Sequence, residues 1–125
     1  MVDLTSQDMA KTSILSYLVE RDLAGITFVR GYMQFLFDGP YLNAYTRPSV
    51  TTAERVLDPS TPGYCDALCA LIGKRVTATR EEPSAGIFIG FADGTSIEIS
   101  LKDEDRVGAE AAMFQTGSPS NWNVW

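Results

Sequence analysis

The chain has 125 residues, 45% of them hydrophobic, with a formal net charge of -6 and no histidine. That length suits one domain with a core able to stand without staples, and the acidic balance excludes a general electrostatic grip on nucleic acid or an anionic membrane, since the ten basic residues are scattered and only Lys74 and Arg75 adjoin. Without imidazole the commonest neutral-pH base and metal ligand are missing, along with every Ser-His or Cys-His dyad.

Residues 5–18 place Met9, Ile14, Leu15 and Leu18 at helical spacing, with Thr5 or Ser6 as N-cap and Asp8 in the first turn, which predicts an amphipathic helix lying on a sheet. Gly25 ends that segment. Residues 26–29 are β-branched and aromatic and read as a strand. Arg30-Gly31 turns the chain into a second strand at 32–37, apolar on both faces, and Asp38-Gly39 with Pro40 leads to a third at 41–45. Arg47-Pro48 interrupts it, and 49–52 resumes as a short edge segment. Residues 58–63 form a Pro- and Gly-rich connector. Thr61 is placed to cap a second helix with Pro62 at its first position, running through 66–71 and stopping at Gly73. Strands follow at 75–79, 86–91 and 95–101, with a polar loop at 80–84 between the first two. Residues 102–106 are a charged loop, and 108–115 fit a helix or a strand. Trp122, Val124 and Trp125 make a last strand-like stretch, apolar enough to dock.

One phrase occurs twice. Leu23-Ala24-Gly25 leads to Phe37-Asp38-Gly39 and Leu42; Leu71-Ile72-Gly73 leads to Ala92-Asp93-Gly94 and Ile97. This is either an internal duplication of a helix-βββ unit, with halves 5–52 and 62–102 and residues 80–84 inserted, or a pair of unrelated hairpins. The expected fold is α+β: two helices packed on an antiparallel sheet of about six strands, in a single domain over residues 1–125.

The pleat assigns faces. Ile97, Ile99 and Leu101 alternate with Ser96, Glu98, Ser100 and Lys102. A three-residue loop Ala92-Asp93-Gly94, with Gly94 left-handed, pairs Ile89 with Ile97 and Ile87 with Ile99 and so gathers the apolar side chains. The same register in the first hairpin turns Gln34, Leu36, Leu42 and Ala44 inward and leaves Met33, Phe35, Tyr41, Asn43 and Tyr45 on the other face, with Arg47 beside them. Such a face calls for cover by the first helix or the 122–125 tail, by a symmetric copy, or by a ligand or foreign protein. Met33, Phe35, Tyr41, Tyr45 and Arg47 are therefore the candidate binding residues.

Motifs for chemistry are absent. Cys65 and Cys69 lie one helical turn apart, at neither redox nor zinc-knuckle spacing, and read as buried small hydrophobes. Asp38 and Asp93 sit in turns where Asp bonds its own backbone. Glu81-Glu82 and residues 103–105 read as surface charge, and no glycine-rich loop opens a helix for phosphate. No catalytic residue, metal or cofactor is expected.

With a Leu-x-Gly lead, an Asp-Gly hairpin and a tail of Asn121-Trp122-Asn123-Val124-Trp125, the chain, best over residues 71–125, resembles a loose group of small bacterial α+β domains of unassigned function. Some of these are immunity partners of toxins, so the resemblance implies a protein-binding role and brings no catalytic residue; Gly90, where such hairpins carry bulkier residues, is a departure. The expected function is a non-enzymatic interaction protein, homodimeric or bound to a protein partner, and without nucleic acid or membrane. Cytoplasmic residence is expected, because no apolar run approaches membrane-spanning length and none follows Met1 as a secretion signal would. The alternative is a small-molecule binder or minor enzyme with an apolar pocket between helix and sheet and polar contacts from Tyr32, Arg30 or Glu110.

Overall fold

A computed structural model of the chain describes residues 13–125. Among them ten strands form two antiparallel sheets of five. The first is ordered β1 (Gly25–Val29), β2 (Tyr32–Leu36), β3 (Tyr41–Ala44), β9 (Ala112–Gln115), β10 (Trp122–Val124). The second is ordered β5 (Val56–Leu57), β4 (Ser49–Thr51), β8 (Ser96–Ser100), β7 (Gly86–Phe91), β6 (Val76–Glu82). Among the described residues helical structure is confined to α1 (Tyr64–Cys69) and 3-10 turns at Ile14–Leu18 and Asp103–Asp105. This overturns the expected α+β arrangement of two helices on one sheet of about six strands.

The reasons are local. The apolar spacing of Ile14, Leu15 and Leu18 is met by a single 3-10 turn, started by Ser13, whose Oγ accepts from the Leu15 amide; Leu15 and Leu18 are fully buried. The helix caps expected at Thr5 or Ser6 lie outside the described residues. Residues 112–115 are a strand because Ala112 and Phe114 are buried and alternate with half-buried Met113 and Gln115, a period of two that outweighs the helix propensity of the preceding alanines. β6 runs on through Glu82, where a polar loop was expected. Glu81 there is not free surface charge: its carboxylate accepts from Ser13 Oγ at 2.7 Å and from Trp125 Nε1 at 2.6 Å, tying both ends of the described chain to β6.

One core lies between the sheets. Met33, Phe35, Leu42, Ala44, Ala112 and Phe114 enter it from the first sheet, and Val50, Ile87, Ile89, Ile97 and Ile99 from the second. Burying an aliphatic or aromatic side chain of this size is worth roughly 1.5–3 kcal/mol, so the two inward faces dominate stability. The two Leu-x-Gly phrases meet at one edge. The Gly73 amide donates to Leu23 O at 2.7 Å, the Leu23 amide to Lys74 O at 2.9 Å, and Asp22 bridges to Arg75, which stitches the lead into β1 onto the lead into β6.

α1 begins after Gly63 (φ +90), not at Thr61. The Thr61 hydroxyl is engaged one turn earlier, donating to Asp58 Oδ1 and accepting from the Asp58 amide, while Ser60 also bonds Asp58 Oδ1. Those bonds hold the Asp58 carboxyl below its usual range, with the Ser60 hydroxyl the largest cause. The helix ends at Cys69 with Ala70 as its cap, short of the expected stop at Gly73, which carries φ +93 in the turn that follows. The short helix turns Tyr64 and Leu68 into the core. Cys65 and Cys69, each one position on, are consequently exposed free thiols and not buried hydrophobes.

The two hairpins differ by one residue. In β7–β8 Phe91 and Thr95 flank a three-residue loop, Gly94 is left-handed (φ +89), and Ile87 pairs with Ile99 and Ile89 with Ile97. The Asp93 carboxylate accepts from the Thr95 amide at 2.9 Å, which lowers its pKa, with Lys74 assisting at 3.4 Å. In β2–β3 the turn holds only Asp38 and Gly39, both with positive φ (+60 and +123), and the Phe37 amide donates to Pro40 O. The register is then Met33 with Ala44 and Phe35 with Leu42. A slip of one residue moves a strand's side chains to its opposite face, so the inward set of β2 is Met33 and Phe35, not Gln34 and Leu36. Two large apolar side chains are thereby buried in place of an amide and a leucine.

Candidate docking face

The registers line up the outer side of the first sheet in rows. Gly25, Leu36, Tyr41, Gln115 and Trp122 stand abreast, as do Thr27, Gln34, Asn43, Met113 and Val124. Beyond them the rings of Tyr32 and Tyr45 lie 5.7 Å apart at 57°. No carboxylate, ammonium or guanidinium stands in these rows. The outer side of the second sheet differs: Arg80, Phe88, Glu98 and Ser49 stand abreast there, with the Arg80 guanidinium 4.2 Å from the Phe88 ring centre. α1 packs mainly against β4 and the first 3-10 turn mainly against β6, while the Tyr17 hydroxyl of that turn accepts from Asn121 Nδ2 at 3.1 Å beside Trp122.

Asn43 sits at the centre of the face and is 7% exposed. Its Nδ2 reaches Tyr45 Oη at a long 3.5 Å, and its Oδ1 has no partner among the described residues. A buried amide oxygen without a donor is a cost of about 1–3 kcal/mol. Packed folds keep few such groups.

Of the candidates named from sequence, Tyr41 and Tyr45 lie on this face and are half-buried. Met33 and Phe35 do not: at 1% and 0% exposure they belong to the core, for the register reason above. Arg47 is exposed at the end of the face beyond Tyr45, donating from its guanidinium to Arg30 O at 3.5 Å. Asn43 stands there as the pleat assigned it, and Leu36, Tyr32, Met113, Val124 and Trp122 join the face although sequence reasoning did not assign them to it. Trp122 and Val124 were legible in their alternation with Asn121 and Asn123; Met113 was hidden in a segment whose helix or strand character was open.

At the Tyr45 end the face runs into a recess of about 310 Å³ between Gly31, Tyr45 and residues 107–110. Val107, on its rim, is 88% exposed. Of the three polar contacts considered for a small molecule, Glu110 lines this recess while Arg30 and Tyr32 only flank Gly31 in the chain, and between helix and sheet Tyr64 and Leu68 fill the space. Among the described residues no three His, Cys, Asp or Glu side chains gather as metal ligands, and no helix is long and apolar enough to cross a membrane. Among the described residues the one strongly displaced pKa is that of Tyr64, pushed up to about 12 by burial, and its hydroxyl donates to Pro48 O at 2.6 Å in a structural contact. The arrangement is suited to holding a flat, largely apolar surface by ring contact and amide hydrogen bonds. Set against models of protein families, curated proteins and solved structures, the chain matches none of them.

Proposed function

We propose that the protein is a non-enzymatic interaction module that docks another protein surface on the outer side of the β1-β2-β3-β9-β10 sheet, either a second copy or a foreign chain. The observation that carries this reading is the uncharged, aromatic and Met-containing set of rows centred on Asn43, with Trp122 left 54% exposed. Aromatic and Met side chains are enriched, and charged ones depleted, at the centres of protein interfaces. Cytoplasmic residence belongs to the same proposal, because the exposed thiols of Cys65 and Cys69 persist free in a reducing compartment.

The test is retention of a protein partner by immobilised wild-type chain, compared with Tyr41→Asp and Trp122→Asp. Both substitutions point outward and should leave the circular dichroism spectrum intact while releasing the partner. Equal retention by all three proteins, each folded, removes the face from the function.

A further inference from the structure

Resting on that docking reading, we propose that the occupant is a second copy of the chain, paired face to face about a twofold axis. The charge pattern favours it. The chain carries a net charge of -6, yet its rows from Leu36 to Trp122 and from Gln34 to Val124 hold no carboxylate, so two copies meet there without opposing like charges. A foreign partner drawn to an acidic protein would be basic and would be read by carboxylates, which this face lacks.

The polar groups also suit a copy of themselves. Gln34 and Gln115, half-buried, are amides, and the half-buried Tyr41 and Tyr45 carry hydroxyls. Each of these groups both donates and accepts, so each can pair with its own kind across a twofold, as an isologous interface requires. The rim mixes signs, with Arg30 and Arg47 at the same end as Glu110, so a copy brings one carboxylate towards two guanidinium groups. Knob and hole are on one patch as well: Val107, 88% exposed, stands beside the 310 Å³ recess at Tyr45, and a twofold sets each copy's Val107 against the other's recess.

Light scattering on the full chain from about 1 to about 500 µM should show the mass rising from 13.7 kDa towards twice that value. Val107→Asp, at a position too exposed to disturb folding, and Tyr41→Lys should each weaken self-association by about tenfold or more. Raising salt from about 50 to about 500 mM should strengthen it, because screening relieves repulsion between two acidic bodies while leaving ring contacts intact. A monomer throughout that range, a dimer that neither substitution weakens, or association that salt weakens overturns the proposal. If the chain stays monomeric and a foreign protein binds it in a way that Tyr41→Lys abolishes, the second copy is excluded while the docking face stands.

Discussion

Replacing Tyr64 with Phe removes one oxygen atom from the junction of α1, β2 and the 46–48 crossover. In the wild type that hydroxyl donates to Pro48 O at 2.6 Å and lies 3.9 Å from Met33 Sδ, on a side chain only 4% exposed. The substitution leaves the Pro48 carbonyl without its donor, which costs about 1–2 kcal/mol at pH 8. The ionisation provides a second, independent signature. Burial raises the phenol from 10.0 to about 12, so between these values the unfolded chain releases its proton before the folded one does. The folded state then binds more protons, and stability falls as pH rises. At about 1.36 kcal/mol per pKa unit, the wild type loses about 1.4 kcal/mol through this group by pH 11 and about 2.3 by pH 12. The Phe variant has no such loss, and the other tyrosines cancel in the difference. Urea unfolding followed by tryptophan fluorescence should therefore show Tyr64→Phe less stable at pH 8 and level with the wild type near pH 11. A deficit of the same size at both pH values, or none at pH 8, refutes the reasoning.

Three further outcomes follow from the geometry. Phe35→Ala should cost about 3–5 kcal/mol, enough to leave the chain largely unfolded, whereas Gln34→Ala on the opposite side of β2 should stay within about 0.5; comparable losses in thermal unfolding would contradict the β2–β3 register. Gly94→Ala should lower stability by about 1–2 kcal/mol purely through backbone strain, because φ is +89 and a Cβ there meets nothing within 4 Å; an unchanged melting temperature would dismiss that account. Cys65 and Cys69 should both react with a disulfide reagent such as DTNB in native buffer, at rates close to those of the unfolded chain, and protection of either thiol until denaturation would place it in the core after all.

The legible parts of the sequence were those in which one periodicity excluded its rivals. Ile97, Ile99 and Leu101 alternate with polar residues, and only a three-residue loop brings them opposite Ile87 and Ile89, so the β7–β8 register could be read before any coordinates. The run Tyr32-Met33-Gln34-Phe35-Leu36-Phe37 has no such contrast. Its two faces are both mainly apolar, and a loop of two or three residues is equally open to Asp38-Gly39. Choosing between them needs the volume on the far side of the core, where Leu42, Ala44, Phe114 and the second sheet accept Met33 and Phe35. The helices were overestimated for a related reason. Short apolar spacings at 14–18 and 64–71 are compatible with a long amphipathic helix, but one turn suffices when it only has to plug an end of a two-sheet core.

The sequence by itself determined that this is an acidic, histidine-free chain with antiparallel hairpins turning at Asp-Gly, with a strand-like tryptophan tail and with two outward tyrosines, because composition, turn chemistry and strict alternation are local properties. Which tyrosine neighbours share that surface, whether Met33 and Phe35 face in or out, and whether the cysteines meet solvent were decided only by tertiary structure. Each depends on a one-residue register or on which face of a short helix meets the core, and side chains distant in sequence set that choice by competing for the same buried volume.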